Sequence, residues 1–102
     1  MTGQMYESTG IKQKVIDEIC SIAKHYDIKM VKLFGSRARG DYKDRSDIDL
    51  AVYGGNTAKF ALVVDEETST LLKYDIVDMG VSLQQELRES IESEGKIIYK
   101  KV

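Results

Sequence analysis

Asp47-Ile48-Asp49, set inside the apolar run SDIDLAVYG at residues 46–54, is the feature that most limits what this chain can fold into. In an extended strand, residues i and i+2 project from the same face. Ile48, Leu50 and Val52 then form one apolar face, while Asp47, Asp49 and Ala51 share the other. Burying ionised carboxylates is costly unless something cationic meets them. The pair therefore sits either at a strand end in water or beside a bound cation. Two like charges held together disfavour each other's ionisation, and a divalent cation relieves that. Oxygen ligands with no histidine nearby suit Mg²⁺ or Mn²⁺ rather than zinc.

The rest of the chain supplies a frame for this pair. With 102 residues, 42% hydrophobic and 31% charged, it has the composition of a single small globular domain. Its 15 Lys and Arg are outnumbered by 17 Asp and Glu, which argues against a protein that coats nucleic acid. No long apolar span or secretory pattern appears, so the expected location is cytoplasmic, with no membrane association. The single Cys20 excludes an internal disulfide and a multi-cysteine zinc site, and its amphipathic setting suits a small buried hydrophobe.

Residues 1–10 are polar and unpatterned, a loose leader, partly ordered at most, before a domain at 11–102. The stretch 11–26 carries Ile11, Val15, Ile16, Ile19, Cys20, Ala23 and Tyr26 at helical spacing. His25 lies near its C-terminal end, where a cation suits the helix dipole. Residues 29–35 form a short strand ending at Gly35, and 46–54 form a second. Residues 56–73 follow a helical stripe of Phe60, Val63, Val64, Glu67 and Leu71, although FALVV alone also suits a strand. YDIVDMG forms a third strand, 82–95 a helix with Leu83, Leu87 and Ile91, and KIIYKKV a last strand. Ser82 is positioned to cap that helix, with Gln85 at capping-box spacing, and Gly95 ends it. The expected architecture is α+β, a mixed sheet in the order α-β-β-α-β-α-β.

Three further features bear on chemistry. Gly35 lets the backbone approach a phosphate, Ser36 adds a hydroxyl donor, and a helical turn after them would aim free N–H groups at an anion. Arg37 and Arg39 are placed to neutralise a triphosphate. Asp75, in the third strand, joins Asp47 and Asp49 if the two strands are neighbours, whereas Asp78 faces the other way. Three carboxylates of this kind hold two metal ions in phosphoryl and nucleotidyl transfer. Singly, a Gly-Ser pair is an ordinary turn and D-x-D a solvated face. The joint spacing, Gly35-Ser36, ten residues, then Asp47-Ile48-Asp49, is more specific.

That spacing, with GSRARG and SDIDLAV as they stand here, resembles the minimal nucleotidyltransferases of the DNA polymerase beta superfamily, over roughly residues 11–100. The resemblance implies that Asp47, Asp49 and Asp75 are catalytic and hold two Mg²⁺ ions, with Mn²⁺ as a substitute. It implies that Gly35 and Ser36 hold the β- and γ-phosphates of a nucleoside triphosphate, that Asp75 helps deprotonate the acceptor, and that Arg39 contacts the triphosphate. Arg37, Asp41 and Arg45 fall at variable positions, where surface charge is expected.

Larger relatives carry an added domain that binds the acceptor, and here the sequence contains only the core fold. The acceptor site is then expected from another chain, in a homo- or hetero-oligomer, or the acceptor is itself a protein. Three readings follow from the resemblance. One is transfer of AMP from ATP to a hydroxyl on a HEPN-domain partner, as the antitoxin of a toxin–antitoxin pair. Another is a non-catalytic partner-binding module. The third is a small-molecule transferase of the aminoglycoside type, completed by a second chain.

Overall fold

A computed structural model of the chain describes residues 8–102. Its elements run α1 (Gln13–His25), β1 (Met30–Phe34), α2 (Gly35–Arg39), β2 (Ile48–Tyr53), α3 (Thr57–Glu67), β3 (Tyr74–Asp78), α4 (Gln85–Glu94) and β4 (Lys96–Lys100). The expected order of seven elements is present, with one short helix, α2, added directly after β1.

The four strands make one mixed sheet in the order β3-β2-β1-β4. β1 is antiparallel to both β2 and β4, and β2 is parallel to β3. A parallel neighbour requires a crossover, and α3 supplies it. Strand alternation divides the core. Val31, Leu33, Ile48, Leu50, Val52 and Ile98 join Val15, Ile16, Ile19 and Ala23 of α1 and Phe60 and Val64 of α3 in the larger cluster. Phe34, Ala51 and Met79 meet Ile91 of α4 in a smaller one on the other face. Helices therefore cover both faces, and Asp49 belongs to the face carrying Ala51 and α4.

Local chemistry sets the ends of these elements. α1 ends with Lys24 and His25 in its last turn, and both are exposed, as suits cations at a helix C-terminus. The Cys20 thiol donates to the Ile98 carbonyl at 3.2 Å, and burial pushes its pKa up, so it behaves as the packed hydrophobe expected of it. Asn56 caps α3 by accepting from the Lys59 N–H at 3.2 Å.

Two expectations need correction. The α3 helix stops at Glu67 rather than continuing to Lys73. The Thr68 hydroxyl takes the Val64 carbonyl at 2.7 Å, and Ser69 gives its N–H and hydroxyl to Glu18 at 2.7 Å each, so side chains replace the helical ladder. Leu71 consequently leaves the stripe and is fully exposed. Ser82 does not cap α4, which starts at Gln85 after Gln84 with no side-chain cap. The preceding chain turns instead on Asp78, whose carboxylate accepts from the Gly80 N–H at 2.8 Å. Residues 8–10, the described end of the expected leader, form a tight turn with Thr9 buried. Residues 1–7 of that leader lie outside the described residues.

Candidate active site

β1 delivers the chain to the site. Its last residue, Phe34, pairs with Asp49 of β2, and Gly35 follows with φ +74°. A Cβ on Gly35 would collide with Asp49 Oδ2 and lie 3.0 Å from Asp49 Cγ. Two independent demands thus fix glycine here: a left-handed backbone and a carboxylate pressed against the Cα. The sequence suggests only the second kind of demand, and from a phosphate rather than from Asp49.

α2 begins at Gly35, and the first N–H groups of a helix have no intrahelical acceptor. The Ser36 carbonyl accepts from the N–H groups of Gly40 and Asp41, at 2.8 and 3.2 Å. Among the described residues no partner holds the Ser36 hydroxyl.

The neighbour relation left open by the sequence is present. Asp49 and Asp75 face each other in the parallel register of β2 and β3, so their side chains leave the same face of the sheet. Asp47 lies one residue before β2 rather than within it, exposed in an open cleft with Arg45, Leu71, Leu72 and Lys73. Burial pushes the Asp49 carboxyl up to about 6, with further upward contributions from Asp75 and then Asp47. The nearby charges of Arg39 and Arg37 oppose the rise without cancelling it. Three oxygen donors that repel one another have the chemistry of a hard-cation site. They are not drawn into a closed cage: among the described residues, no three His, Cys, Asp or Glu side chains converge closely enough to enclose a metal.

The two arginines of GSRARG separate. Arg39 is exposed at the end of α2, with its Nε 3.4 Å from Asp41 Oδ2 and its Nη1 3.4 Å from Glu94 Oε1. Asp41 and Arg45 are exposed charges, as expected. Arg37 is not: only 1% of it is accessible, and it is the largest fully buried side chain of the described residues. Its burial has no local signal, since neither helical nor strand spacing pairs it with its contacts. The aromatic Tyr42 five residues on, whose ring lies 4.7 Å from the guanidinium carbon, is the nearest clue in sequence.

The polymerase beta nucleotidyltransferase family matches residues 17–102. A Methanocaldococcus jannaschii protein named as a protein adenylyltransferase is 37% identical over 71% of this chain and 79% of its own length. A crystal structure of a toxin–antitoxin with AMP-PNP superposes with a TM-score of 0.68 at 22% identity, covering 84% of this chain and 73% of that one, and so shares the fold. A Sulfolobus solfataricus protein named as a nucleotidyltransferase superposes with a TM-score of 0.57 at 27% identity, over 93% of this chain and 86% of its own. The family match spans the strand-borne aspartates and the Gly-Ser turn alike, and the chain belongs to the polymerase beta family of nucleotidyltransferases.

Proposed function

We propose that this nucleotidyltransferase moves AMP from ATP to a hydroxyl group on a partner protein, as the antitoxin half of a pair with a HEPN-domain toxin. The observation that carries the chemistry is one of register. Asp49 and Asp75 sit opposite each other on adjacent strands, and the turn that would take the triphosphate, Gly35-Ser36, is pressed against Asp49. The protein acceptor is supported by the named activity of the Methanocaldococcus relative and by the fold shared with a toxin–antitoxin structure.

In this reading Asp47, Asp49 and Asp75 would hold two Mg²⁺ ions, for which Mn²⁺ substitutes. Bound divalent cations neutralise phosphate charge and make the acceptor oxygen a better nucleophile. Gly35 and Ser36 hold the β- and γ-phosphates through backbone N–H groups and the Ser36 hydroxyl. The acceptor oxygen forms a bond to the α-phosphorus as the bond to pyrophosphate breaks, and Asp75 takes the hydroxyl proton. Arg39 meets the triphosphate by exchanging its exposed carboxylate partners for phosphate, and exposed ion pairs are weak enough to make that exchange cheap. Holding the acceptor in line with phosphorus is left to the partner, and positioning of this kind lowers a barrier by several kcal/mol. Among the described residues no helix is long and apolar enough to cross a membrane.

The test is intact-mass spectrometry of the chain incubated with its cognate partner, ATP and Mg²⁺. One or more AMP additions on the partner are expected, with the chain alone binding ATP and turning over slowly. A partner that is inhibited yet unmodified would replace this reading with the non-catalytic binding module.

A further inference from the structure

We propose that Arg37 is a positioning residue for Asp47, acting through the 41–47 loop, and that the turn at residues 8–10 is latched to the same guanidinium. The proposal deepens the reading above, because it takes Asp47 to be a metal ligand.

Every polar group on the Arg37 head reaches backbone. Nη1 donates to the Thr9 carbonyl at 2.8 Å, Nε to the Ser46 carbonyl at 3.0 Å, and Nη2 to the carbonyls of Asp44 and Lys43 at 3.2 and 3.5 Å. Tyr42 stacks beneath it. No carboxylate forms an ion pair with it among the described residues. A buried charge without a directly paired counter-ion is expensive, and here the compensation at contact distance comes from carbonyl dipoles and an aromatic face, with the Asp49 carboxylate acting from farther away. Those acceptors belong to two segments separated in sequence, so the charge can stay buried only while both are in place.

The consequence falls on Asp47. Ser46, whose carbonyl Arg37 holds, is joined to Asp47 by that same peptide unit, so its plane and the direction in which Asp47 leaves the loop are fixed together. The loop is braced a second time by Ser46, whose hydroxyl accepts from the Lys43 N–H at 2.8 Å and whose N–H donates to the Lys43 carbonyl at 3.0 Å. On the other side, Gly10 lies so close that a Cβ there would stand 2.5 Å from Tyr42 Cε2 and 2.8 Å from Arg37 Nη1. The planar fork of arginine can serve these directions at once, and the single ammonium of lysine cannot.

The probe is Mn²⁺ alone, titrated by calorimetry into the full chain, together with hydrogen exchange of the metal-free chain. Arg37→Lys keeps the charge and loses the fork. It is expected to weaken Mn²⁺ binding about 10–100-fold, the range seen when groups that orient metal ligands are lost. Amides of 8–10 and 41–48 should lose protection together while those of β1 and β4 keep theirs. Tyr42→Leu, which leaves Arg37 in place, should shift both readouts in the same direction by less, and it decides the matter if Arg37→Lys does not fold. Unchanged Mn²⁺ affinity in a folded variant, whatever its melting temperature, overturns the proposal. If the unaltered chain itself fails to bind Mn²⁺, the metal reading of Asp47 falls. The latch is then judged by exchange: separate rather than joint loss of protection in the two segments overturns it.

Discussion

Asp49→Asn is expected to reduce nucleotidyl transfer by on the order of 10³-fold, the scale of losing a preorganised electrostatic contact to the reacting centre, while making the metal-free chain more stable at neutral pH. The two effects have one cause. The Asp49 carboxyl is raised from 3.8 to about 6 by burial and by Asp75 and Asp47. A group whose folded pKa is raised this way costs nothing while it is protonated in both states. Its cost grows as pH rises from 3.8 to 6 and is complete above that. Because the side chain is only half-buried, solvent screening reduces the cost to on the order of 1 kcal/mol. Asparagine removes it, and for a domain of this size that corresponds to a melting temperature higher by roughly 4–8 °C. Thermal unfolding in chelator should therefore show the variant ahead at pH 8 and level with the unaltered chain near pH 3.5. By the same linkage, divalent-cation affinity of the unaltered chain should fall as pH drops through about 6. A variant that melts lower at pH 8 would mean that Asp49 is held by a favourable contact rather than by its repelling neighbours.

The second large effect is expected at Gly35. Alanine there meets a left-handed backbone, which costs an L-residue about 1–2 kcal/mol, and its Cβ occupies the space of Asp49 Oδ2. Overlap of this kind adds about 1–3 kcal/mol. The Asp49 carboxylate must move to make room, so transfer should be lost even under conditions where the variant is fully folded. Gly40→Ala is the matched control: its φ is +94°, but a Cβ there has nothing within 4 Å. It should pay the backbone cost alone and keep a normal triphosphate affinity by calorimetry. Equal losses at the two positions would reduce Gly35 to a turn residue.

What the sequence made legible was whatever repeats at short range. The period-2 alternation of 48–53 placed Asp49 on the face opposite Ile48, Leu50 and Val52, and the i, i+4 stripe of α1 named its buried residues. Asp75 was legible as a strand aspartate, yet its meeting with Asp49 depended on β3 lying beside β2, which no local pattern encodes. Arg37 shows the limit most clearly. Arginines are usually exposed, and what buries this one is a carbonyl set drawn from residues 9 and 43–46. The end of α3 has no local signal for a related reason, since Glu18, the residue that captures Ser69, comes from α1.

The parallel pairing of β2 with β3 also bears on when the site exists. Among the described residues β3 is an outer strand with one neighbour, reached only after the chain has crossed through α3. Loop closure must be met before such a pairing returns any energy, so Asp75 is expected to join Asp49 after β2 has paired with β1, whose partners lie nearer in sequence. An outer strand is also among the first parts to detach in partial openings of the native state. On warming, Asp75 should therefore part from Asp49 while β1 and β2 remain paired. Inactivation would then precede the main unfolding transition, leaving a chain that still melts cooperatively but no longer catalyses.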